Sequence, residues 1–362
     1  MITYEEIEKL RSSLAPDDSV LSVYLRVPAD QAEVRALSRR AINLMMGAAA
    51  RTPGQLRDED AQQVLRTVAA QASDRLDTTL GIFVSGQLGL NQVVPLPAGL
   101  PERAVLAVRP HVRPLLAALQ RHPDHRIVII DHRRAWLLAV AGDRVETVAT
   151  IPADRMPRDG FGGWFLEPSH GLERVTELTA HLYQDAAAIL DRQARYGGSQ
   201  PIVIGGYADS VTHLLALLPR AVLTSYAGGF AADPHELTLA SARQLAAPVL
   251  AHWAERRERQ LVQELTTPAQ GVRVAIGLDD SLAAVNTGDA DLLLIPDDPI
   301  VPGFHCERCD VLTRTSDGCC DWGAASRPVA DLLEEMTTRL QHEGEQVVSA
   351  RTLPCEAVAR LR

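Results

Sequence analysis

Four of the five cysteines fall within 15 positions, as Cys306-x-x-Cys309, nine intervening residues, and then Cys319-Cys320. Four soft thiolates so spaced suit a tetrahedral zinc ion in a reducing compartment. Adjacent Cys319 and Cys320 must point in different directions, so His305 can stand in for one of them. The alternative is a set of free or redox-active thiols. Cys355 lies apart and reads as an unrelated core residue.

A second group is Phe161-Gly162-Gly163-Trp164. Its glycines allow positive φ and close backbone approach, and its two rings offer faces for unpaired bases. The plainer alternative folds Trp164 and Phe165 back onto the body. Arginine makes the third group: Arg133 and Arg134 with His132 at a hairpin turn, and Arg35, Arg39 and Arg40 along one helix. Each set can hold RNA phosphates or line a solvated face with local ion pairs. Asp131, Asp185 and Asp209 are carboxylates of the type that hold paired magnesium ions in nucleases. Each also has a local role, at a turn, on a helix and at a helix cap respectively. No Ser, His and Asp set has the strand-turn-helix setting of a hydrolase nucleophile.

These groups need a scaffold, and 362 residues are enough for two or three domains at roughly 100 to 200 residues each. Hydrophobic residues are 46% and charged residues 23% of the chain, which excludes wholesale disorder. With aromatics at only 4%, Leu, Val, Ile and Ala must fill the core. No apolar run reaches the roughly 18 to 20 residues of a membrane span. The start, MITYEEIEKLRSS, carries acids where a leader needs basic and apolar residues. A soluble, cytoplasmic protein without a membrane partner is expected.

The net charge of −10 argues at first against nucleic-acid binding. Its distribution is uneven: residues 1–123 carry +1, 124–268 carry −3 and 269–362 carry −8. The first two parts can therefore approach RNA locally, while the acidic last part suits a protein partner. Lys9 is the only lysine beside 35 arginines.

Apolar and β-branched runs predict strands at Val20–Val27, Thr78–Ser85 and Asn91–Leu96, with helices over Ala32–Met46 and Asp60–Ala72. The proline-bearing stretch 107–126 reads as a boundary. Residues 126–151 then predict an antiparallel meander of three strands, followed by a long Gly- and Pro-rich loop at 152–171. Helical spacing from Leu172 to Leu190, a strand at Pro201–Gly206, and helices at Ser210–Leu218 and Pro234–Leu265 complete the centre. After Thr266 a β-α-β unit is expected: strands Arg273–Leu278 and Asp291–Pro296 around a helix capped by Asp279 or Asp280 and ended by Gly288. A cysteine-bearing insertion at 302–322, a helix over Pro328–Gly344 and a final strand at Glu345–Ala350 follow.

In this order the units resemble the archaeal and eukaryotic class-1 peptide chain release factors and Pelota, specifically the bacterial branch that includes the Balon-like ribosome hibernation factors. The carriers are VLSVYLRVP at 20–28, the meander with Phe161–Trp164, VIGGYAD at 203–209, and AIGLDDSLAAVNTGDADLLLIPDD at 275–298. The resemblance implies an α/β protein of three domains. Residues 1–123 would be a mixed α/β domain facing the decoding site, and 124–268 a ribonuclease H-like domain bearing the glycine-rich loop. Residues 269–362 would be a small α-β-α sandwich with the Cys-rich insertion, sometimes zinc-bearing in that family. Release factors of the family present Gly-Gly-Gln in the central loop, whereas here Trp164 follows Gly162 and Gly163. No stop-codon-reading motif is found in 1–123. The resemblance therefore implies a non-enzymatic factor that occupies the ribosomal A site in hibernation or stress. It would touch rRNA and tRNA and meet a translational GTPase such as elongation factor Tu. The enzymatic alternative is a peptidyl-tRNA hydrolase acting on stalled ribosomes.

Overall fold

The computed structural model describes residues 2–15, 19–51, 56–142, 144–152, 168–196, 200–316 and 326–362. They form four sheets flanked by helices, a mixed α/β architecture as expected. No helix among them is long and apolar enough to cross a membrane. The chain divides into two compact units, one of Met1–Gln120 with Glu258–Arg362 and one of Arg121–Arg257.

The N-terminal segment opens with helix α1 (Tyr4–Arg11), started by a capping box. The Thr3 hydroxyl accepts from the Glu6 amide and the Glu6 carboxylate from the Thr3 amide. There follow β1 (Val20–Val27), α2 (Gln31–Val34), α3 (Leu37–Arg51), α4 (Asp58–Gln71), β2 (Thr78–Ser85), β3 (Leu90–Pro97), β4 (Arg103–Ala107) and α5 (Arg113–Arg121). The sheet is antiparallel in the order β3-β2-β1-β4. Burial on both faces explains why β1 is an unbroken apolar run: Leu21, Val23 and Leu25 pack with α3 and α4, while Tyr24 packs with α1 and α5.

Two expectations change in this segment. The single helix over Ala32–Met46 is broken at Arg35 and Ala36, and its second part runs on to Arg51 with Leu37, Ala41, Met45 and Ala48 buried. The proline-bearing stretch contains α5, because Pro114 lies in the first turn, where its missing amide leaves no helical bond unmade.

In the second unit β5 (His125–Ile130), β6 (Arg134–Ala141) and β7 (Arg144–Pro152) form the expected meander. Then come α6 (Pro168–Tyr196), β8 (Ile202–Gly206), α7 (Ala208–Leu217), α8 (Arg220–Leu223), β9 (Tyr226–Ala231) and α9 (Leu239–Thr266), whose last residues belong to the other unit. The sheet order is β7-β6-β5-β8-β9, with β5, β8 and β9 parallel. Helices α6 to α8 cover one face and α9 the other. Because β7 returns in the direction of β5, the carboxyl ends of β5, β7, β8 and β9 share one edge. Strand β9 escapes sequence reading because Tyr-Ala-Gly-Gly-Phe-Ala contains no β-branched residue.

The C-terminal segment holds β10 (Val274–Ile276), α10 (Leu278–Thr287), β11 (Ala290–Pro296), β12 (Gly303–Cys306), β13 (Val311–Thr313), β14 (Ser326–Val329), α11 (Leu332–His342), β15 (Gln346–Ala350) and β16 (Val358–Leu361). Its main sheet runs β10-β16-β11-β15, between α10 and α11 on one face and the end of α9 on the other. The last strand is β16 rather than β15, and it inserts between the two strands of the β-α-β unit. Gly288 ends α10 in the left-handed conformation, as expected, at φ 73°. At its start Gly277 is the cap, and neither Asp279 nor Asp280 has that role. Helix α11 begins at Leu332, because Pro328 is part of β14 and Asp331 caps the Leu333 amide.

Candidate functional site

The shared carboxyl edge of the second unit is where open α/β sheets gather ligand-binding groups. Strand β5 ends at Ile130, and Asp131 Oδ1 accepts from the amides of Arg133 (2.6 Å) and Arg134 (2.7 Å). This Asx turn reverses the chain into β6 and leaves His132 and Arg133 exposed. The Asp131 side chain is only 3% exposed, and its Oδ2 lacks a hydrogen-bond partner. Arg134 Nε at 3.7 Å and His235 Nε2 at 3.8 Å are its neighbours.

Strand β8 enters this edge through Gly205 and Gly206. A Cβ on Gly206 would lie 2.1 Å from the Ile130 carbonyl oxygen at a φ of +143°, and one on Gly205 would lie 2.3 Å from the Phe230 ring. Glycine is thus required at Gly206, where backbone is in the way, whereas at Gly205 the Phe230 ring would have to move, and the chain passes directly into α7 with Tyr207, Asp209 and Ser210 beside His132. Beyond β9, Asp233 and His235 complete the cluster.

The contacts are polar and aromatic. His132 Nδ1 faces the Tyr183 hydroxyl of α6 at 3.2 Å and Ser210 Oγ at 3.5 Å, and its Nε2 faces Asp209 Oδ2 at 3.5 Å. The His132 and Tyr207 rings lie 17° from parallel with centroids 6.1 Å apart. The Tyr207 hydroxyl donates to Asp233 Oδ1 at 2.8 Å, and the His235 amide donates to the same oxygen at 2.9 Å. The Asp233 bond raises the Tyr207 hydroxyl pKa, while the His235 amide and then the Tyr207 hydroxyl lower that of Asp233. Burial raises the Tyr183 hydroxyl. Arg134 stacks 4.2 Å over Trp136, and its Nη2 lies 3.1 Å from His235 Nδ1. A guanidinium can only donate, so in this contact His235 Nδ1 is the acceptor.

Of the residues singled out in the sequence, His132, Arg133 and Arg134 therefore meet at this edge. Tyr207, Tyr183, Trp136 and His235 were missed, and the signal that could have found Tyr207 is the strand-Gly-Gly-helix pattern at 203–209. Asp185 is exposed on α6 and does not join Asp131 and Asp209 in a metal-holding group among the described residues. On α3 the three arginines differ. Arg40 donates to the Arg26 carbonyl oxygen and pairs with Glu102 at 3.2 Å, so its charge serves the fold. Arg35 and Arg39 are exposed and have no side-chain partner among the described residues. Cys306 is buried at the end of β12 and Cys309 exposed in the turn that follows. Cys319, Cys320 and all of Phe161–Trp164 lie outside the described residues.

The first unit contains a polar network that sequence reading missed. The Arg113 guanidinium binds Asp331 Oδ2 and donates to the Pro296 carbonyl at 2.6 Å. His111 Nε2 lies 3.1 Å from Asp331 Oδ2 and 3.6 Å from Glu334 Oε2. Asp331 Oδ1 accepts from the Val301 and Leu333 amides, and Glu334 from those of Val112 and Arg113. Burial works to raise the Asp331 carboxyl, but Arg113, His111 and the Val301 amide outweigh it and hold the group well below the usual carboxylate range. His111, Asp331 and Glu334 are spaced closely enough to surround a cation. With Arg113 already on Asp331 and amides on both carboxylates, that place is filled by protein donors.

Comparison with known proteins bears on residues 110–260, which match bacterial archaeo-eukaryotic release factor family 10. This segment is similar to that family. The release-factor resemblance read from the sequence is thereby borne out for the part of the chain that contains the second unit. Among solved structures, the archaeal translation termination factor aRF1 is 14% identical, covering 99% of this chain and 96% of its own, with a TM-score of 0.24. Pelota of Archaeoglobus fulgidus is 15% identical over 79% of this chain and 78% of its own, with a TM-score of 0.34. Archaeal Pelota in a ribosome-bound model with ABCE1 is 14% identical over 99% and 94%, with a TM-score of 0.41. No curated protein matches the sequence.

Proposed function

We propose that this chain is a ribosome-associated translation factor of the release-factor type that occupies the ribosomal A site in hibernation or stress without releasing the peptide. The observation that carries this reading is the family match over residues 110–260, taken with Trp164 in place of glutamine after Gly162 and Gly163. The glutamine is the residue that would orient water toward the peptidyl-tRNA ester. In this reading residues 1–123 face the decoding site, with Arg35 and Arg39 on rRNA phosphates. Residues 124–268 are a ribonuclease H-like domain whose edge at His132, Arg133 and Arg134 faces RNA. Residues 269–362 form an α-β-α domain that meets elongation factor Tu or another translational GTPase. The protein then works in the cytoplasm.

Zinc belongs to the same reading. Cys306 at the end of β12 and Cys309 in the turn that follows carry two thiols three positions apart, a donor pair that fits zinc. With Cys319 and Cys320 they would hold a structural ion that cross-links this stretch. Metal analysis of purified protein, with and without Cys306→Ser and Cys309→Ser, tests it: one zinc per chain, lost in the variants, is expected.

Sucrose-gradient sedimentation from stationary-phase cells tests the main reading. The protein is expected with ribosomal particles, and its absence from them at low salt would overturn the proposal. Release of labelled peptide from purified ribosomal complexes is expected to be nil. Release that is abolished by replacing Gly162 and Gly163 would favour the hydrolase instead.

A further inference from the structure

We infer that the sheet edge carrying His132, Arg133, Arg134, Tyr207 and His235 holds a single unpaired ribonucleotide, an inference that rests on the RNA-facing role proposed for this edge. Four features converge there. Arg133 is exposed, and its guanidinium has no partner among the described residues, so it can accept a phosphate without first giving up a bond. Helix α7 starts at the same edge from Tyr207, and although Asp209 Oδ1 takes the Ser210 amide, the amides of Ala208 and Asp209 remain at the positive end of its dipole for that phosphate. The near-parallel His132 and Tyr207 rings form a shelf for a base.

The fourth feature selects the sugar. Asp131 Oδ2 is a buried acceptor without a donor, and the groups over it are the half-exposed side chains of Arg134 and His235. Those side chains can swing aside, and a ligand hydroxyl can then donate to the carboxylate. A bare phosphate has nothing to offer it. With Asp131, Asp209 and Asp233 all at this edge, the charge is balanced rather than basic, so a polyanion without donors gains little here. A ribose hydroxyl beside a phosphate and a base meets all four features.

The test uses the full chain and two fluorescein-labelled single-stranded hexamers of one sequence, one RNA and one DNA, read by anisotropy. The RNA is expected to bind more tightly than the DNA. Tyr207→Leu should weaken RNA binding roughly five- to hundredfold, whereas Tyr207→Phe, which keeps the ring, should not. Arg133→Gln should lower the slope of log K against log salt by about 0.7, the loss of one phosphate contact. Equal affinity for RNA and DNA, or an unchanged Tyr207→Leu protein with a wild-type circular dichroism spectrum, would overturn the inference. Ribosome sedimentation of the same proteins separates the two readings. A chain that sediments with ribosomes but binds no hexamer loses the nucleotide site and keeps the ribosomal role. RNA binding that depends on Tyr207 in a chain found off ribosomes keeps the site and loses that role.

Discussion

The network around Asp331 and the cluster around Asp131 are built from the same side chains, a buried aspartate with arginine and histidine beside it, yet they differ in how far their bonds are completed. Asp331 has an arginine, a histidine and two amides, with Asp331, His111 and Arg113 each 2% exposed or less. Asp131 has one oxygen fully bonded and the other waiting, under two half-exposed side chains. A carboxylate with both oxygens bonded holds the fold, even though His111 Nδ1 and Arg113 Nε beside it lack partners, while one with a waiting oxygen at a sheet edge leaves a bond for a ligand.

The sharpest way to break this contrast is at Asp331. Replacing it with Ala leaves Arg113 buried and unpaired, and unfolding in denaturant should show a loss of about 3–5 kcal/mol. The double variant Arg113→Met, Asp331→Leu should recover only the part due to the unpaired guanidinium, because the Val301 and Leu333 amides still lack their acceptor. The pH dependence has a definite sign. Because the folded-state carboxyl is held low, its contribution is fully present above the ordinary aspartate value of about 3.9 and is lost as pH falls below it. Asp331→Asn should flatten that acid limb of the stability curve.

Next in size is Gly206→Ala. The added Cβ would meet the Ile130 carbonyl at a positive φ, so a loss of about 1–3 kcal/mol is expected in thermal unfolding, with weaker RNA-hexamer binding. A smaller effect separates the arginines of α3. Arg40→Ala should cost no more than about 1 kcal/mol, since its partner pair is partly exposed. Arg35→Ala with Arg39→Ala should leave stability unchanged while weakening ribosome sedimentation as salt rises. Smallest is Tyr207→Phe, which should move only the Asp233 titration, upward, in carboxyl NMR.

Much of the scaffold was legible because its signals are local. β1 and β2 coincide with their apolar runs at Val20–Val27 and Thr78–Ser85, and the meander emerges from three runs divided by turn residues. Gly288 announced the end of α10 because few other residues adopt its φ. The failures have local causes too. Glycine and small residues hid β9, β16 is only four residues long, and prolines in and before α5 read as breakers.

By itself the sequence determined the strands, most helices, the release-factor resemblance and the presence of arginines suited to phosphate. Only the tertiary structure decided which arginines remain available: Arg40 is taken by Glu102, Arg113 by Asp331, and Arg133 stays open. It also brought Tyr183, Tyr207 and His235 around His132 and Asp131, residues up to about 100 positions apart. The physical reason is topological. Parallel strands deliver the residues after each of them to one edge, whatever their distance along the chain, and burial then fixes which charges must find partners and which can wait for a ligand.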